Sequence, residues 1–318
     1  MAKRKSSSKR KISFITSVIV LLAAVCYGIF TGTIPLEEWI SGGSKTSTAI
    51  SSGLLNQDAE VAIHFIDVGQ GDSIYIKAYD KNILIDAGEK ETTQTDVVEY
   101  LKSLNVKKLD YVIGSHPHSD HIGGLQAVIE TFDIGTVIMP RIPDASVPTT
   151  ATYRPRLKAI SQKGLKIKAA QNCGEIVLSE GKDAKLDVFG PVSDDENLNN
   201  MSAWVNFSAK GYSALFCGDA ESSVEKEMLK LGKNSKIKCN ILKLSHHGSK
   251  TSNTKKFLDA ASPDCFVICV GKDNPYNHPT PSVLKRVNEY GKPVYRTDLN
   301  GSIVFEFEKD SLRCITER

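Results

Sequence analysis

The distribution of apolar positions divides the chain near residue 60. Before that point residues 12–30 form one continuous apolar run, and no charged side chain falls between Lys11 and Glu37. A helix over such a run is long enough to cross the hydrocarbon layer of a membrane. Beyond residue 60 the apolar runs shorten to strand length and alternate with polar turns. Runs at 62–68, 73–78 and 82–85, parted by Gly69-Gln70-Gly71-Asp72 and a second polar turn, predict a strand meander. Thr95 is the expected cap of a helix to Leu104, and 109–113 reads as a buried strand. Leu125, Val128, Ile129 and Phe132 recur at helical spacing and form one apolar stripe.

The rhythm continues to the end of the chain. Helices are predicted at 150–162, at 221–231, after Asn253 and at 281–290. Strands are predicted near 165–168, 186–189, 203–209, 212–217, 240–244, 264–270, 293–296, 302–308 and 312–315. A meander followed by strand–helix alternation in both halves predicts a mixed α/β domain over 60–318. Residues 31–59, which include a Ser-, Gly- and Thr-rich stretch at 41–52, have too little apolar surface to order themselves and predict a flexible linker.

Residues 1–11 form a basic tail ahead of the apolar run. By the positive-inside tendency the tail stays in the cytoplasm and the domain lies on the far side of the membrane. A single-pass anchor at 12–30 is the expectation. A secretory signal peptide shares the same basic and apolar regions, and its cleavage would release a secreted domain.

Of 318 residues, 41% are hydrophobic and 24% charged, an ordinary globular balance. The formal net charge of +3 comes from the tail, where six Lys and Arg precede residue 12; the remainder carries 34 basic against 37 acidic side chains, a net of −3. The body therefore has no global electrostatic footprint for nucleic acid. Lys236, Lys238, Lys243, Lys250, Lys255 and Lys256 are read as solvated side chains, with a local anion-binding groove as the alternative. Cys217, Cys265 and Cys269 lie inside apolar runs and predict buried thiols.

The chemistry is concentrated in Gly114-Ser115-His116-Pro117-His118-Ser119-Asp120-His121-Ile122-Gly123-Gly124. Three imidazoles and a carboxylate within six residues, at the end of a buried strand, are the donors of a site for zinc or a similar divalent ion. His116 and His118 point the same way in an extended segment, and Pro117 favours that conformation for His116. Gly123 and Gly124 are expected to let the backbone turn beneath an ion. Further polar residues follow later strands: Asp219 in Gly218-Asp219-Ala220, the pair His246-His247 before Gly248-Ser249, and His278 in Asn277-His278-Pro279. His64 falls within a strand and is read as a core or strand-edge histidine.

The H-x-H-x-D-H pattern followed by Gly-Gly resembles the signature of the metallo-β-lactamase superfamily. Together with His64-Phe65-Ile66-Asp67-Val68-Gly69-Gln70-Gly71-Asp72-Ser73, the turns at 218–220 and 246–249, and Asn277-His278-Pro279, it resembles the metallo-hydrolase domain of the DNA-internalisation competence proteins of the ComEC type over residues 60–308. The resemblance implies a four-layer αββα sandwich. It also implies His116 and His118 as ligands of one metal, Asp120 and His121 as ligands of another, and Asp219 as the bridge. One of His246 and His247 completes the second site and the other faces substrate; the residues leave open which. Asn199-Asn200-Met201-Ser202 stands where many superfamily members carry a further histidine. The first site is thus a donor short, so one or two ions are expected, zinc ahead of manganese.

The expected activity is hydrolysis of a phosphodiester by metal-activated water outside the membrane. Asp120 is the candidate for orienting the water. His278, or the free member of the histidine pair, would hold the phosphate or protonate the leaving oxygen. Asp67, Gln70 and Asp72 are read as shaping their turn, with lining of the site mouth as the alternative. Proteins of the ComEC type resemble a polytopic channel with this domain appended, so the resemblance carries chemistry here and not transport. The substrate is DNA on that reading, with a cell-wall phosphodiester such as teichoic acid or its phosphocholine as the alternative, and β-lactam hydrolysis disfavoured. In a different class stands a catalytically silent module that holds a polyanion with its lysines. No partner protein is inferable.

Overall fold

The first half of the domain runs β1 (Val61–Phe65), β2 (Ile74–Ala78), β3 (Lys81–Ile85), α1 (Val97–Ser103), β4 (Lys108–Ile113), α2 (Ser119–Ile122), α3 (Leu125–Thr131), β5 (Asp133–Met139), α4 (Tyr153–Gln162) and β6 (Ile167–Ala169). The second half runs β7 (Gly174–Val177), β8 (Lys185–Phe189), β9 (Trp204–Ala209), β10 (Tyr212–Phe216), α5 (Ser222–Lys230), α6 (Asn234–Ile237), β11 (Ile241–Lys243) and α7 (Lys255–Ala261). It closes with β12 (Cys265–Ile268), α8 (Pro281–Asn288), β13 (Val294–Arg296), α9 (Thr297–Asn300), β14 (Ile303–Phe307) and β15 (Leu312–Thr316). This computed structural model describes residues 58–90, 94–148, 153–181, 183–232 and 234–318. The basic tail, the apolar run at 12–30 and almost all of the linker lie outside the described residues. Among the described residues no helix is long and apolar enough to cross a membrane.

Two sheets result, ordered β15-β14-β1-β2-β3-β4-β5-β6 and β13-β12-β11-β10-β9-β8-β7. Successive strand residues point to opposite faces, and both faces are used. Ile63, Phe65, Ile76 and Ile83 of the first sheet meet Val205, Phe207, Ala214, Phe216 and Val267 of the second in a shared core. The opposite face of the first sheet, with Tyr75, Leu84 and Val112, packs on Tyr100 and Leu101 of α1, Val128 and Ile129 of α3 and Ile160 of α4. The outer face of the second, with Trp204, Leu215, Leu242 and Phe266, packs on Met228 of α5, Phe257 and Leu258 of α7 and Val283 of α8. Helices thus cover both outer faces of an α/β sandwich. Strands covered on both sides carry apolar residues at consecutive positions rather than alternate ones, which is why runs such as 265–270 read as continuous.

Several local expectations shift. Asp96, not Thr95, caps α1, its carboxylate accepting from the N–H groups of Val98 and Glu99. Strands β5 and β7 were absent from the sequence reading: β5 opens on the half-exposed stretch Asp133-Ile134-Gly135-Thr136, and β7 is a half-exposed sheet edge. Helix α8 stops at Asn288. His64 is buried in β1, its Nδ1 2.8 Å from the Tyr100 hydroxyl, as a core histidine.

Candidate metal centre

The polar loops after β4, β10, β11 and β12 gather at the carboxyl ends of the strands, the usual place for a site in such sheets. Chain proximity is set by glycines. The N–H of Asp72 donates to the Asp120 carbonyl at 3.0 Å, and Gly71 adopts φ +138° with no room for a Cβ against that carbonyl. A Cβ at Gly123 or Gly124 would run into the backbone of 87–90. The paired glycines therefore serve the close approach of two backbone segments, rather than a turn beneath an ion as the sequence suggested.

One donor atom each from Asp120, His121, Asp219 and His247 lies within 4.8 Å of all the others. His121 Nε2 is 3.2 Å from Asp219 Oδ1 and 3.9 Å from Asp120 Oδ2. His247 Nε2 is 3.2 Å from Asp120 Oδ2 and 3.5 Å from Asp219 Oδ2. His121 Nε2 and Asp219 Oδ1 are buried without a hydrogen-bond partner. An imidazole nitrogen and a carboxylate oxygen that face each other at 3.2 Å in a buried site, neither holding a hydrogen bond to any other group, fit a divalent cation between them. His116 Nε2 approaches the other oxygen, Asp219 Oδ2, at 4.0 Å, and His118 Nδ1 lies 2.9 Å from His116 Nε2. Asp219 thus stands between the two groups. It is not a helix cap, since Glu221 holds that position for α5.

A second polar layer lies beneath the donors. Asp86, at the end of β3, has one carboxylate oxygen 2.9 Å from His121 Nδ1 and accepts from the Ser115 N–H and hydroxyl at 2.7 and 2.6 Å. The Cys269 carbonyl lies 2.8 Å from His247 Nδ1. Both contacts leave Nε2 as the atom turned to the centre. Asp72 sits 3.7 Å from His121 Nδ1 and 3.4 Å from His247 Nδ1, and is ion-paired with fully buried Lys243. The trio Asp72, Asp86 and His121 also has metal-ligand spacing, but these carboxylates are already engaged by Lys243 and Ser115. Lys243 is therefore neither solvated nor part of an anion groove, and Lys236 and Lys255 pair with Asp187 and Asp259.

Burial opposes charge throughout this region, and the carboxylates overcome it at two imidazoles. The pKa of His121 is raised well above its ordinary value by Asp219, Asp120, Asp72 and Asp86 against the penalty of burial. That of His247 is raised to about 10 by Asp219, Asp120 and Asp72, again against burial. Burial also works against the Asp219 carboxylate, yet His121 and His247 hold its pKa well below the usual range. The result is a buried, carboxylate-rich centre whose field favours positive charge.

The histidine pair is aimed by an unusual backbone. His246 and His247 both occupy the left-handed region, at φ 53° and 51°, a conformation that non-glycine residues hold only when their surroundings enforce it. Here Asn253 bonds both the N–H and the carbonyl of Ser245 at 2.9 Å, and the N–H of Asn253 is itself held by the buried Glu225 carboxylate. His247 is delivered to the centre. His246 stands further out, its Nε2 3.8 Å from Asp219 Oδ2.

The model for the metallo-β-lactamase superfamily matches residues 66–272. The chain belongs to this superfamily. Among curated proteins it is similar to ComE operon protein 3 of Bacillus subtilis, 28% identical over 268 residues covering 79% of this chain and 33% of that one. It is also similar to the competence protein ComA of Neisseria gonorrhoeae, 31% identical over 250 residues covering 77% and 32%. The chain thus spans about a third of the length of the curated relatives it matches. Among solved structures it shares its fold with CmlA, a diiron β-hydroxylase from Streptomyces venezuelae, at 12% identity and TM-score 0.53 over 78% of this chain and 54% of that one. Igni18, a metallo hydrolase from Ignicoccus hospitalis, matches at 17% identity and TM-score 0.52 over 78% and 100%.

Within this metallo-β-lactamase fold a cleft of about 290 Å³ opens over the donors, lined by Gln70, Asn199, His246, Tyr276 and His278 beside His118, Ser119, Asp120, Asp219 and His247. The sequence reading brought His278 and Asp120 here. Of the two readings of the 67–72 turn, Gln70 takes the alternative and lines the cleft, while Asp72 supports two donors and Asp67 pairs with Arg318 at 2.7 Å. Burial first, then the neighbouring His246 and His247, lower the His278 pKa to about 4. Asp86, Lys243, Asn253 and Tyr276 were missed. For Asp86 a signal existed, a lone carboxylate at a strand end before Ala-Gly; for the others the signal was only their distance in space.

Proposed function

We propose that this chain is a metal-dependent phosphodiesterase that acts on nucleic-acid strands. The observation that carries the reading is the grouping of Asp120, His121, Asp219 and His247 around a buried gap, with His121 Nε2 and Asp219 Oδ1 unspent. A divalent cation held there supplies activation of water and neutralisation of charge on phosphoryl oxygens. The four residues would hold it, with His116, His118 and the far oxygen of Asp219 forming a second, adjoining donor group. Asp120, the most open of the four, orients the attacking water from the cleft side. His246 and His278, whose rings lie 5.5 Å apart at the cleft wall, hold the phosphate. Asn199 lines the cleft where the extra histidine of many relatives is expected, so the group of His116 and His118 binds its cation more weakly.

Competence proteins among the relatives favour DNA as the polymer. The apolar run at 12–30 would anchor the chain and present the domain outside the membrane. The test uses the full-length chain in detergent, loaded with zinc or with manganese, and assays a linear DNA strand, teichoic acid and phosphocholine esters in parallel. Metal-dependent scission of DNA that disappears in Asp219→Ala supports the reading. Turnover confined to wall phosphodiesters, or no turnover by chain of verified metal content, overturns it.

A further inference from the structure

The cleft has one aromatic residue, Tyr276, that the hydrolytic chemistry does not use. Tyr276 is 62% exposed, although aromatic rings are normally withdrawn from water, and it lies at the cleft. Its ring stacks on that of His278, with centroids 5.8 Å apart and planes inclined by 26°. The phenol is therefore flanked by an offset neighbour on one side while the ring as a whole stays open to solvent. The loop beneath is built to keep it there. The Asn274 side chain accepts from the N–H groups of Tyr276 and His278 at 3.2 and 3.0 Å, and donates to the carbonyls of Gly271 and His278 at 3.0 and 2.6 Å. Thr280 ties the far end of the loop to the Gly248 carbonyl at 3.0 Å. Gly271 packs against the backbone of Gln70 and donates to its side-chain oxygen at 3.2 Å.

The same cleft holds unspent hydrogen-bonding atoms besides those of the metal centre. Gln70 Nε2, Asn199 Oδ1 and His278 Nδ1 are buried and have no partner. A donor, an acceptor and an imidazole nitrogen around a flat, exposed, rigidly held ring describe recognition of a planar, polar-edged group. Nucleobases have that shape, and stacking on an aromatic side chain is how proteins hold unpaired bases.

The geometry points to a base-stacking subsite at Tyr276, backed by His278, that receives the nucleobase next to the scissile phosphate. This inference rests on the phosphodiesterase reading and narrows its substrate to strands whose bases are unpaired at the point of cleavage, since a base inside a duplex has no free face to offer. A quaternary ammonium group is a poorer occupant. Such cations are enclosed by several rings at once, whereas here one ring is open and its other side is flanked by His278.

The experiment compares two phosphorothioate-linked decamers, oligo-dT and an oligomer in which every base is replaced by an abasic tetrahydrofuran. Both retain their charge and sugar-like backbone and resist hydrolysis. Binding to the full-length, metal-loaded chain is followed by fluorescence anisotropy, with free choline, which carries no phosphate, as competitor. The chain is expected to bind oligo-dT about tenfold more tightly than the abasic strand. Tyr276→Ala should erase that preference and Tyr276→Phe should keep it, because the ring face and not the hydroxyl makes the contact. Equal binding of the two strands by the parent overturns the subsite, as does a preference that survives in Tyr276→Ala or displacement by choline. Cleavage of the corresponding phosphodiester strands is scored separately. Scission without base preference would leave the hydrolase reading standing and remove the subsite; base preference without scission would do the reverse.

Discussion

Lys243 and Asp72 form an ion pair shut off from solvent, with side-chain exposures of 0% and 1%, directly beneath the two imidazoles that face the centre. Lys243 comes from β11 and Asp72 from the loop before β2, so the pair joins the two sheets under the site. Burial opposes the charge of each, and each partner offsets it in the other. The pKa of Asp72 falls under the influence of Lys243 and His121, and that of Lys243 rises under Asp72 and Asp219.

Removing one member of this pair leaves the other charged and dry, a change that costs about 3–5 kcal/mol. Lys243→Met should destabilise the metal-free chain by that order in urea denaturation, and adding Asp72→Asn should recover part of the loss. A single variant within about 1 kcal/mol of the parent would show that water reaches the pair.

Metal retention should separate the two adjacent histidines. His247→Ala removes a donor of the central group, so metal measured after dialysis should drop, as in Asp219→Ala. His246→Ala should keep the metal and lose turnover. Asp86→Asn, which weakens the hold on His121 Nδ1, should lower metal affinity about 10- to 100-fold. Equal metal loss in the two histidine variants would overturn the division of roles.

Gly71→Ala tests the backbone contact that seats Asp120. The added Cβ has no space against the Asp120 carbonyl, and the positive φ suits glycine alone. We expect weakened metal binding and a lowered melting temperature together. Unchanged metal affinity would mean that the loop bearing Asp120 adjusts freely.

A pH effect should arise far from the centre. Burial, assisted by Lys77, lowers the His64 pKa to about 3 from an ordinary 6.5. Between those values the unfolded chain binds a proton at this position and the folded chain does not, so stability is present above pH 6.5 and is lost as pH falls toward 3. The slope amounts to about 1.4 kcal/mol per pH unit in the middle of that window. Metal-free His64→Phe should show a slope smaller by one proton than the parent in denaturation at pH 7 to 5. Identical slopes would mean that His64 is protonated in the folded chain.

Much of this protein was determined by local pattern. Continuous apolar runs announced strands covered on both faces, helical spacing placed the stripe of α3, and H-x-H-x-D-H supplied candidate donors because their spacing and position after a strand are short-range properties. Tertiary structure decided what spacing cannot. It set His247 nearer the centre than His246, on a left-handed stretch whose preceding residue, Ser245, is held by Asn253 and through it by Glu225 of α5. It turned Lys243 from a surface cation into a buried counter-ion, since an isolated lysine in a sequence does not show the carboxylate that awaits it. It put Tyr276, an ordinary loop residue in sequence, beside a reactive cleft. Candidate donors follow from residue type and order along the chain, whereas orientation, charge compensation and the shape of the cleft follow from which distant segments meet.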